Sequence, residues 1–292
     1  MARVGLIGLG IIGSAFARNL LEDGDQVLGF DIIPERMAAL AAMGGSSASS
    51  PREVADRSDV IMTAVASLGA LATIAGGPEG LIRSGRRGFV VADVSTLPID
   101  EKESVHRDLA AAGIPMLDCT ISGTGLQAAA RQLVFMASGD RAAIAAVTPV
   151  LQRLGKAVYD VGAFGNGSKM KFVANLLVAV HTASTAEALL LAERAGLDLG
   201  QVMEVIGSGV GSSRMWDIRG PLILESRYQP PAAKVSQFVK DTHLIADFAR
   251  SIGSPTPLLD RAAALYEQAL AQGLAESDAA SVHDVLAGMQ EG

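Results

Sequence analysis

The chain has 292 residues, of which 49% are hydrophobic and 19% are charged, so it can bury a sizeable core and differs from a disordered polypeptide. Its formal net charge of −7 disfavours nucleic acid and anionic membranes as partners. The single cysteine, Cys119, cannot form an internal disulfide, which suits the cytoplasm. We expect no signal segment and no apolar run that is long and uncharged enough to cross a bilayer.

The first part of the chain alternates between predicted strands and helices. Short apolar runs predict strands over 2–8, 26–31, 59–65, 88–95, 114–122 and 132–138. Apolar spacing, with Pro34 as a start signal and Gly113 as a stop signal, predicts helices over 12–23, 34–43 and 101–113. This alternation predicts an α/β fold with a doubly wound parallel sheet, forming a Rossmann-type domain over residues 1–161.

The pattern changes near residue 160. Neither proline nor internal glycine occurs between Ser168 and Ala195, which predicts one long helix over about 168–195. This helix is apolar on most sides, so we expect it to connect two domains and to pack in the interface of a homodimer or homotetramer. The chain stays helical beyond it, which predicts an all-helical domain over residues 162–292.

A glycine-rich turn is predicted directly after the first strand. Gly8, Gly10 and Gly13 have the G-x-G-x-x-G spacing, between a predicted strand and a predicted helix. The first glycine allows a tight turn, the second lets the backbone approach a pyrophosphate, and the third lets the helix pack on the sheet. The helix start then directs free N–H groups at the phosphates. The turn predicts a dinucleotide site, although such turns also occur without a ligand.

Asp31 ends the second predicted strand and bears on the choice of cofactor. An acidic side chain there accepts hydrogen bonds from the ribose hydroxyls and repels a 2′-phosphate, so NAD is favoured over NADP. Arg36 follows closely in the sequence and could reach a 2′-phosphate, so NADP stays possible.

A second glycine-rich stretch, GAFGNGSKMKFVAN at 162–175, leads into the long helix. Lys171 and Asn175 are four residues apart and share one helical face with Ser168. A lysine held in a cleft between domains is suited to proton transfer, because partial burial lowers a lysine pKa toward the useful range. The alternative is a snorkelling surface lysine, as we expect for Lys169, and the spacing alone leaves both interpretations open.

Four segments make the chain resemble the β-hydroxyacid dehydrogenases, the family of 3-hydroxyisobutyrate dehydrogenase. They are GLGIIG at 8–13, DVSTLP at 93–98, GAFGNGSKMKFVAN at 162–175 and KD at 240–241. The third is the most specific, since its fixed spacing of glycines, lysine and asparagine rarely arises by chance. The resemblance covers essentially the whole chain and implies a Rossmann-type domain followed by a helical domain like that of 6-phosphogluconate dehydrogenase.

The resemblance implies an NAD(P)-dependent oxidoreductase that interconverts a short 3-hydroxy acid and the matching semialdehyde or keto acid. It makes Lys171 the general acid/base. Substrate contacts are implied for Ser122, Gly123, Thr124 and Asn175. Cofactor contacts are implied for Gly8, Leu9, Gly10, Ile11, Ile12, Gly13, Asp31, Ile32, Val65, Ala66, Thr96 and Lys240. No metal is implied, and none of the four histidines has metal-ligand spacing.

The stretch DCTISGTGLQAAARQL, which holds the expected substrate contacts, departs from the family pattern D-x-P-V-S-G-G-x-x-G-A-x-x-G-T-L. Ser122 and Gly123 match and are expected to hold the substrate carboxylate. Thr124, Gln127 and Arg131 stand where the family has glycine. The bulk of a β-branched residue at position 124 and the two long side chains leave the identity of the acid open.

Two other functions stay open. An imine-reducing enzyme of the same fold usually lacks the lysine, so Lys171 argues against it. A non-catalytic dinucleotide-binding protein needs neither Lys171 nor Asn175. Ser212 or Ser213 of the GSGVGSS loop could line the substrate pocket, but an ordinary loop between helices is the plainer interpretation.

Overall fold

The computed structural model describes residues 2–289. The chain divides into two compact units, with the boundary between Lys171 and Phe172. This boundary lies inside the long helix, further along the chain than the division at 161/162 predicted from the sequence.

The first unit is built on one eight-stranded sheet. Its strands are β1 Arg3–Ile7, β2 Gln26–Phe30, β3 Ser46–Ser47, β4 Val60–Thr63, β5 Val90–Asp93, β6 Met116–Ser122, β7 Leu133–Ser138 and β8 Gly155–Asp160. The strand order is β3-β2-β1-β4-β5-β6-β7-β8. The chain moves outward from β1 in one direction through β2 and β3, and from β4 in the other. Ligands of open α/β sheets bind at such a point, outside the carboxyl ends of the strands.

Helices cover both faces of this sheet. They are α1 Ile11–Glu22, α2 Pro34–Ala42, α3 Pro51–Arg57, α4 Leu68–Gly76, α5 Ile99–Ala111, α6 Gly125–Ala129 and α7 Arg141–Leu154. Successive strand residues point to opposite faces, so Val4 and Leu6 of β1 belong to the core under α1 and α7. Ile7 belongs to the second core, under α3, α4 and α5. Each face of the sheet therefore has its own apolar layer.

One strand pair departs from the predicted doubly wound parallel sheet, which the other strands confirm. The neighbouring strands are parallel except β6 and β7, which are antiparallel. The connection from Ser122 to Leu133 contains only the five-residue helix α6. A parallel crossover needs about a dozen or more residues, so this short connection returns the chain in the opposite direction.

The second unit is helical. Its elements are the greater part of α8 Asn166–Arg194, then α9 Leu199–Gly207, α10 Arg214–Leu224, α11 Val235–Ser251, α12 Pro257–Ala271 and α13 Val282–Ala287. Tyr266 is fully buried at its centre, where its hydroxyl donates to the Ala179 carbonyl at 2.7 Å and its ring packs on Phe238. Arg219 and Asp278 form a buried ion pair in the same core.

The long helix α8 has 29 residues, close to the predicted span. Within residues 2–289 it is the one helix that is long and apolar enough to cross a membrane, by length and composition alone. No such run was expected from the sequence. Core helices of water-soluble proteins pass the same test, and a third of the most apolar window of α8 is buried within the protein.

Candidate active site

The glycine turn lies between the carboxyl ends of β1 and β4. Gly8 has a φ of +93°, and a Cβ there would overlap the Ala64 carbonyl oxygen. A Cβ on Gly13 would overlap the carbonyl oxygen of Gly8. The protein's own packing therefore requires both glycines. Gly10 differs, because no protein atom lies within 4 Å of a Cβ added there.

The start of α1 fits a dinucleotide pyrophosphate. Gly10 precedes the helix, and no side chain caps its first turn. Uncapped N–H groups at a helix start and an open approach to the backbone are what a phosphate group needs. Ile11 and Ile32 expose 71% and 87% of their area, which offers apolar surface for the cofactor rings. Ile11 also contacts Gly125 at the start of α6, which brings the glycine turn beside the predicted substrate segment.

Asp31 directly follows β2 and is held by three donors. Its Oδ2 accepts from the Leu9 N–H at 2.7 Å and from Arg36 at 3.1 Å, and its Oδ1 accepts from the Ile33 N–H at 2.9 Å. Partial burial acts to raise the pKa of Asp31, but these hydrogen bonds outweigh it and hold the pKa below its usual value. A carboxylate has about four lone-pair sites, so it can still accept from a ribose hydroxyl.

Leu9 contributes to this site through its backbone alone, because its side chain is buried in the core. The remaining predicted cofactor residues of the first unit follow β4 and β5. The Val65 N–H donates to Ser95 Oγ at 2.9 Å, which ties the segment after β4 to the segment after β5. Ala66 is exposed and Thr96 is half-buried, so both border the carboxyl edge of the sheet.

Four buried polar residues lie in one register row across the sheet. They are Thr63 on β4, Asp93 on β5, Asp118 on β6 and Ser138 on β7, and we call them the buried polar row. Thr63 Oγ1 and Ser95 Oγ each donate to Asp93 Oδ1 at 2.7 Å. The row begins beside Ile7, the last residue of β1, and so runs from the glycine turn along the carboxyl side of the sheet.

Lys102 of α5 enters this row from one face of the sheet. Its Nζ lies 2.8 Å from Asp93 Oδ2 and 2.5 Å from Asp118 Oδ1, and it donates to the Ser95 carbonyl at 3.1 Å. Burial by itself lowers the pKa of Lys102, but the two carboxylates reverse this and raise the pKa above its ordinary value. The two carboxylates therefore favour the charged form of Lys102.

The start of α8 is attached to β6 and β7. Asp118 Oδ2 accepts from the Ser168 N–H at 2.6 Å, and Asp118 Oδ1 accepts from Ser168 Oγ at 2.9 Å. Thr120 Oγ1 donates to the Gly167 carbonyl at 2.6 Å, and the Gly167 N–H donates to Ser138 Oγ at 3.0 Å. A Cβ on Gly167 would lie 2.5 Å from the Asp118 carbonyl oxygen, so only glycine allows this approach. Lys171 follows three residues after Ser168 on the same helix.

The sequence analysis missed Lys102 and the two aspartates that surround it. One signal was available: Lys102 is spaced three and seven residues from Val105 and Leu109, so it lies on the buried stripe of its helix. A lysine on an apolar stripe needs a buried counter-charge. The aspartates within the apolar strands β5 and β6 supply it.

The predicted substrate segment ends β6 and begins α6. Gly123 has a φ of +139°, and a Cβ there would lie 2.6 Å from a Leu133 methyl group. Thr124 is the N-cap of α6 in a capping box with Gln127: the Thr124 N–H donates to Gln127 Oε1 at 2.9 Å, and the Gln127 N–H donates to Thr124 Oγ1 at 3.4 Å. The Thr124 N–H is therefore already used within the loop.

Asn175 and Lys240 belong to the second unit. Asn175 Nδ2 donates to Asp241 Oδ2 at 2.9 Å, and Lys240 Nζ lies 3.3 Å from Asp241 Oδ1. The late K-D motif thus fixes the amide of Asn175, so that its Oδ1 can accept from a ligand. His243, two residues further on, pairs with Glu267 at 2.7 Å on the surface.

The remaining candidate side chains from the sequence lie in the core, at a helix start or along a groove of the second unit. Cys119 is fully buried, and burial raises the pKa of its thiol well above the usual value. Ser213 caps α10, while Ser212 and Trp216 line a separate apolar groove in the second unit. Among residues 2–289, no group of three His, Cys, Asp or Glu side chains is placed to hold a metal ion.

Comparisons with known proteins cover almost the whole chain. Residues 3–162 match the NAD-binding domain of 6-phosphogluconate dehydrogenase, and residues 165–286 match the NAD-binding domain of NADP-dependent 3-hydroxyisobutyrate dehydrogenase. L-threonate dehydrogenase of Cupriavidus necator is 34% identical over 98% of this chain and 97% of its own. The chain belongs to the β-hydroxyacid dehydrogenase family. It is an NAD(P)-dependent oxidoreductase with the two-part fold that the motifs implied.

Two further β-hydroxyacid dehydrogenases support this assignment. Glyoxylate/succinic semialdehyde reductase 2 of Arabidopsis thaliana is 30% identical over 97% of this chain and 79% of its own. The crystal structure of 3-hydroxyisobutyrate dehydrogenase from Salmonella typhimurium is 32% identical, with a TM-score of 0.87 over 98% of this chain and 100% of that one. An imine reductase from Pseudomonas sp. is 21% identical with a TM-score of 0.62, which shows a shared fold alone.

The departures from the family pattern have local explanations. Arg131, where the family has glycine, keeps a positive φ of +57°. Its guanidinium donates to Asp23 at 2.8 Å and to the Asn19 carbonyl at 3.0 Å, so it joins the end of α6 to α1. Gln127 replaces another glycine and closes the capping box with Thr124. Both long side chains therefore have contacts within the first unit instead of simply facing solvent.

Proposed function

We propose that the protein is an NAD-preferring dehydrogenase of a short 3-hydroxy acid, which also reduces the matching semialdehyde or keto acid, with Lys171 as the general acid/base. The observation that supports it most is the attachment of the α8 start, and so of the segment bearing Lys171, to β6, the strand that ends in Ser122. Relatives named for hydroxy acids and semialdehydes support the substrate class.

We assign proton transfer and substrate binding to different residues of the chain. The glycine turn and Asp31 would hold NAD, which would supply the acceptor for the hydride of the carbon that carries the hydroxyl group. Lys171 Nζ, as the neutral amine, takes the hydroxyl proton during oxidation, and as the ammonium it returns that proton during reduction. Asn175 contacts the same hydroxyl group by donating its second Nδ2 N–H to the hydroxyl oxygen, since the other Nδ2 N–H is bonded to Asp241 and the one hydroxyl proton goes to Lys171.

The substrate carboxylate is assigned to the end of β6. Ser122 offers a hydroxyl and Gly123 offers an N–H, and both can donate to a carboxylate oxygen. Thr124 contributes shape instead of a donor, because its N–H is bonded to Gln127. This arrangement favours a compact acid with few atoms near position 124.

The cofactor is assigned to the carboxyl edge of the sheet in the first unit. We assign the pyrophosphate to the glycine turn, over Gly8, Leu9, Gly10, Ile11, Ile12 and Gly13. The adenosine side is assigned to Asp31 and Ile32, and the far ribose to Val65, Ala66 and Thr96. The family resemblance adds Lys240 as a cofactor contact. The acidity of Asp31 favours NAD, because a 2′-phosphate would meet a carboxylate.

A panel of short 2- and 3-hydroxy acids, tested for NAD(P)H formation at about 340 nm, examines this function directly. We expect turnover with one compact 3-hydroxy acid and a higher kcat/KM with NAD than with NADP. Tight NAD binding measured by calorimetry, without turnover of any acid or semialdehyde, would instead favour a non-catalytic dinucleotide-binding protein.

We further propose that the chain forms a homodimer or homotetramer through its second unit. An apolar groove of about 910 Å³ opens there, and Leu191, Leu197 and Val205 beside it are each more than half exposed. Exposed apolar groups of this size mark a contact surface. Light scattering should give at least twice the chain mass, and Leu191→Asp with Val205→Asp should reduce it. A monomeric wild type at micromolar concentration would overturn this.

The cytoplasm is the compartment that fits these proposals. NAD(P) is an intracellular cofactor, and Cys119 is a buried thiol in this fold. Neither nucleic acid nor a membrane surface is proposed as a partner.

A further inference from the structure

The cluster of Lys102, Asp93 and Asp118 takes no part in the chemistry proposed above. All three side chains are buried, and a buried ion cluster is weak evidence for stability because desolvation offsets the attraction between the charges. A cluster of this kind calls for a reason beyond folding. Its position between the cofactor edge of the sheet and the start of α8 supplies one.

The charges of this cluster are complementary to the start of α8. One lysine and two aspartates leave the cluster with one net negative charge. Asp118, one of the two aspartates, accepts from the Ser168 N–H. The start of a helix carries roughly half a positive charge, so it stabilises a carboxylate placed there. Ser168 Oγ adds a second donor to Asp118 and also accepts from Lys102 Nζ at 3.4 Å. The cluster and the helix start therefore provide each other with hydrogen-bond partners and with complementary charge.

A continuous path of hydrogen bonds and one ion pair reaches the predicted cofactor segment. From the Val65 N–H it passes through Ser95 to Asp93, whose Oδ2 forms an ion pair with Lys102 Nζ, and from Lys102 through Asp118 to the start of α8. Every side chain in this path is buried. The segment beside the dinucleotide and the helix that bears Lys171 are thus held by one polar network.

We propose that Lys102, Asp118 and Ser168 are positioning residues, which fix the first turn of α8 and thereby set the position of Lys171 for proton transfer. Lys171 lies less than one helical turn beyond Ser168, so a displaced helix start displaces its side chain as well. A displacement of about 1 Å can reduce a rate by about a hundredfold. The inference rests on the proposed function, in which Lys171 is the acid/base.

Two substitutions test the network by different means. Lys102→Met removes the cation, whereas Ser168→Ala removes one hydroxyl and leaves both ion pairs in place. Ser168→Thr keeps a hydroxyl and serves as the conservative variant. Arg86→Met is the matched control, because Arg86 forms an ion pair with Asp59. Asp59 directly precedes β4, so this pair lies at the amino ends of the strands, away from Lys102.

Steady-state kinetics then distinguish positioning from a structural role. We expect kcat to fall about 30-fold or more in Lys102→Met and about tenfold in Ser168→Ala, with the NAD Kd and the substrate KM within about threefold. Ser168→Thr should recover most of the rate, and Arg86→Met should keep the wild-type kcat. A lower Tm with an unchanged kcat per NAD-binding molecule would overturn the proposal.

Hydrogen exchange supplies a readout that does not depend on activity. The amides of Gly167 and Ser168 should exchange at least about tenfold faster in Lys102→Met and Ser168→Ala than in the wild type or Arg86→Met. Unchanged exchange in both variants would contradict the anchoring of α8. If Lys171→Ala retained normal turnover, the proposed function would fail, and exchange alone would still decide whether the network anchors the helix.

Discussion

Asp118 and Ser168 are joined by two hydrogen bonds, one from the Ser168 N–H at 2.6 Å and one from its hydroxyl at 2.9 Å. Asp118 lies in the middle of β6, whereas Ser168 lies in the first turn of α8. The pair therefore connects the strand that ends in Ser122 with the helix that bears Lys171. Through it, two segments far apart in sequence are held together.

Alanine at Gly10 and alanine at Gly167 should affect different properties, the first NAD binding and the second stability. A Cβ on Gly167 meets two carbonyl oxygens, so Gly167→Ala should lower the free energy of unfolding by about 1–3 kcal/mol. A Cβ on Gly10 meets no protein atom, so Gly10→Ala should keep the wild-type Tm and raise the NAD Kd at least about tenfold. Calorimetry measures both quantities. Tight NAD binding by Gly10→Ala would contradict the assignment of the pyrophosphate to this turn.

The preference for NAD should depend on the pair of Asp31 and Arg36. Asp31→Asn removes the charge that repels a 2′-phosphate and releases Arg36 from its ion pair. We expect the ratio of kcat/KM for NAD to that for NADP to fall at least about tenfold, equal to about 1.4 kcal/mol. The same substitution combined with Arg36→Gln is the control, because it should lose the gain with NADP. An unchanged ratio in Asp31→Asn would show that the acid does not select the cofactor.

The capping box should limit how the substrate carboxylate is held. Gln127→Ala removes the acceptor of the Thr124 N–H and makes that donor available to a carboxylate. A hydrogen bond to a charged group is worth about 1.5–3 kcal/mol, so we expect KM to fall at least about tenfold with little change in kcat. Arg131→Ala, in the same loop, should lower the Tm and leave KM unchanged. A higher KM in Gln127→Ala would show that Gln127 itself contacts the substrate.

His106 should make stability depend on pH. Burial lowers its pKa and outweighs the opposing hydrogen bond from the ring to the Met116 backbone, and the ring stacks on Phe164 with centroids 4.0 Å apart. Because the folded pKa lies below the unfolded value, the stability from the neutral ring is complete above about pH 6.5 and is lost as the pH falls through the folded pKa. The Tm should therefore drop more between about pH 7.5 and about pH 5 in the wild type than in His106→Phe. Equal slopes would contradict this.

Local sequence signals were sufficient to predict the glycine turn to which the cofactor is assigned. The roles of Gly8, Gly10 and Asp31 follow from a strand, a tight turn and a helix start that are neighbours in the chain. Gly8 and Gly13 are required by backbone contacts, and the open space at Gly10 fits the ligand role predicted for it. The family motif likewise identified the stretch before Lys171, where Gly167 is required by the contact with β6.

Features that depend on distant segments could not be predicted in this way. Lys102 draws its counter-charges from Asp93 and Asp118, on two different strands, and only the register of the sheet brings them together. The reversal of β7 depends on the short connection through α6. The partners of Arg131 follow from the packing of α6 near α1, which composition and periodicity do not reveal.

The most direct test of the central claim is the turnover of Lys171→Ala, measured beside Lys169→Ala with saturating NAD. Lys169 is exposed on the same helix and is the matched control. We expect kcat to fall about 10²- to 10⁴-fold in Lys171→Ala, with an unchanged NAD Kd and partial rescue by a small primary amine, and to stay normal in Lys169→Ala. Near-normal turnover by Lys171→Ala would contradict the account.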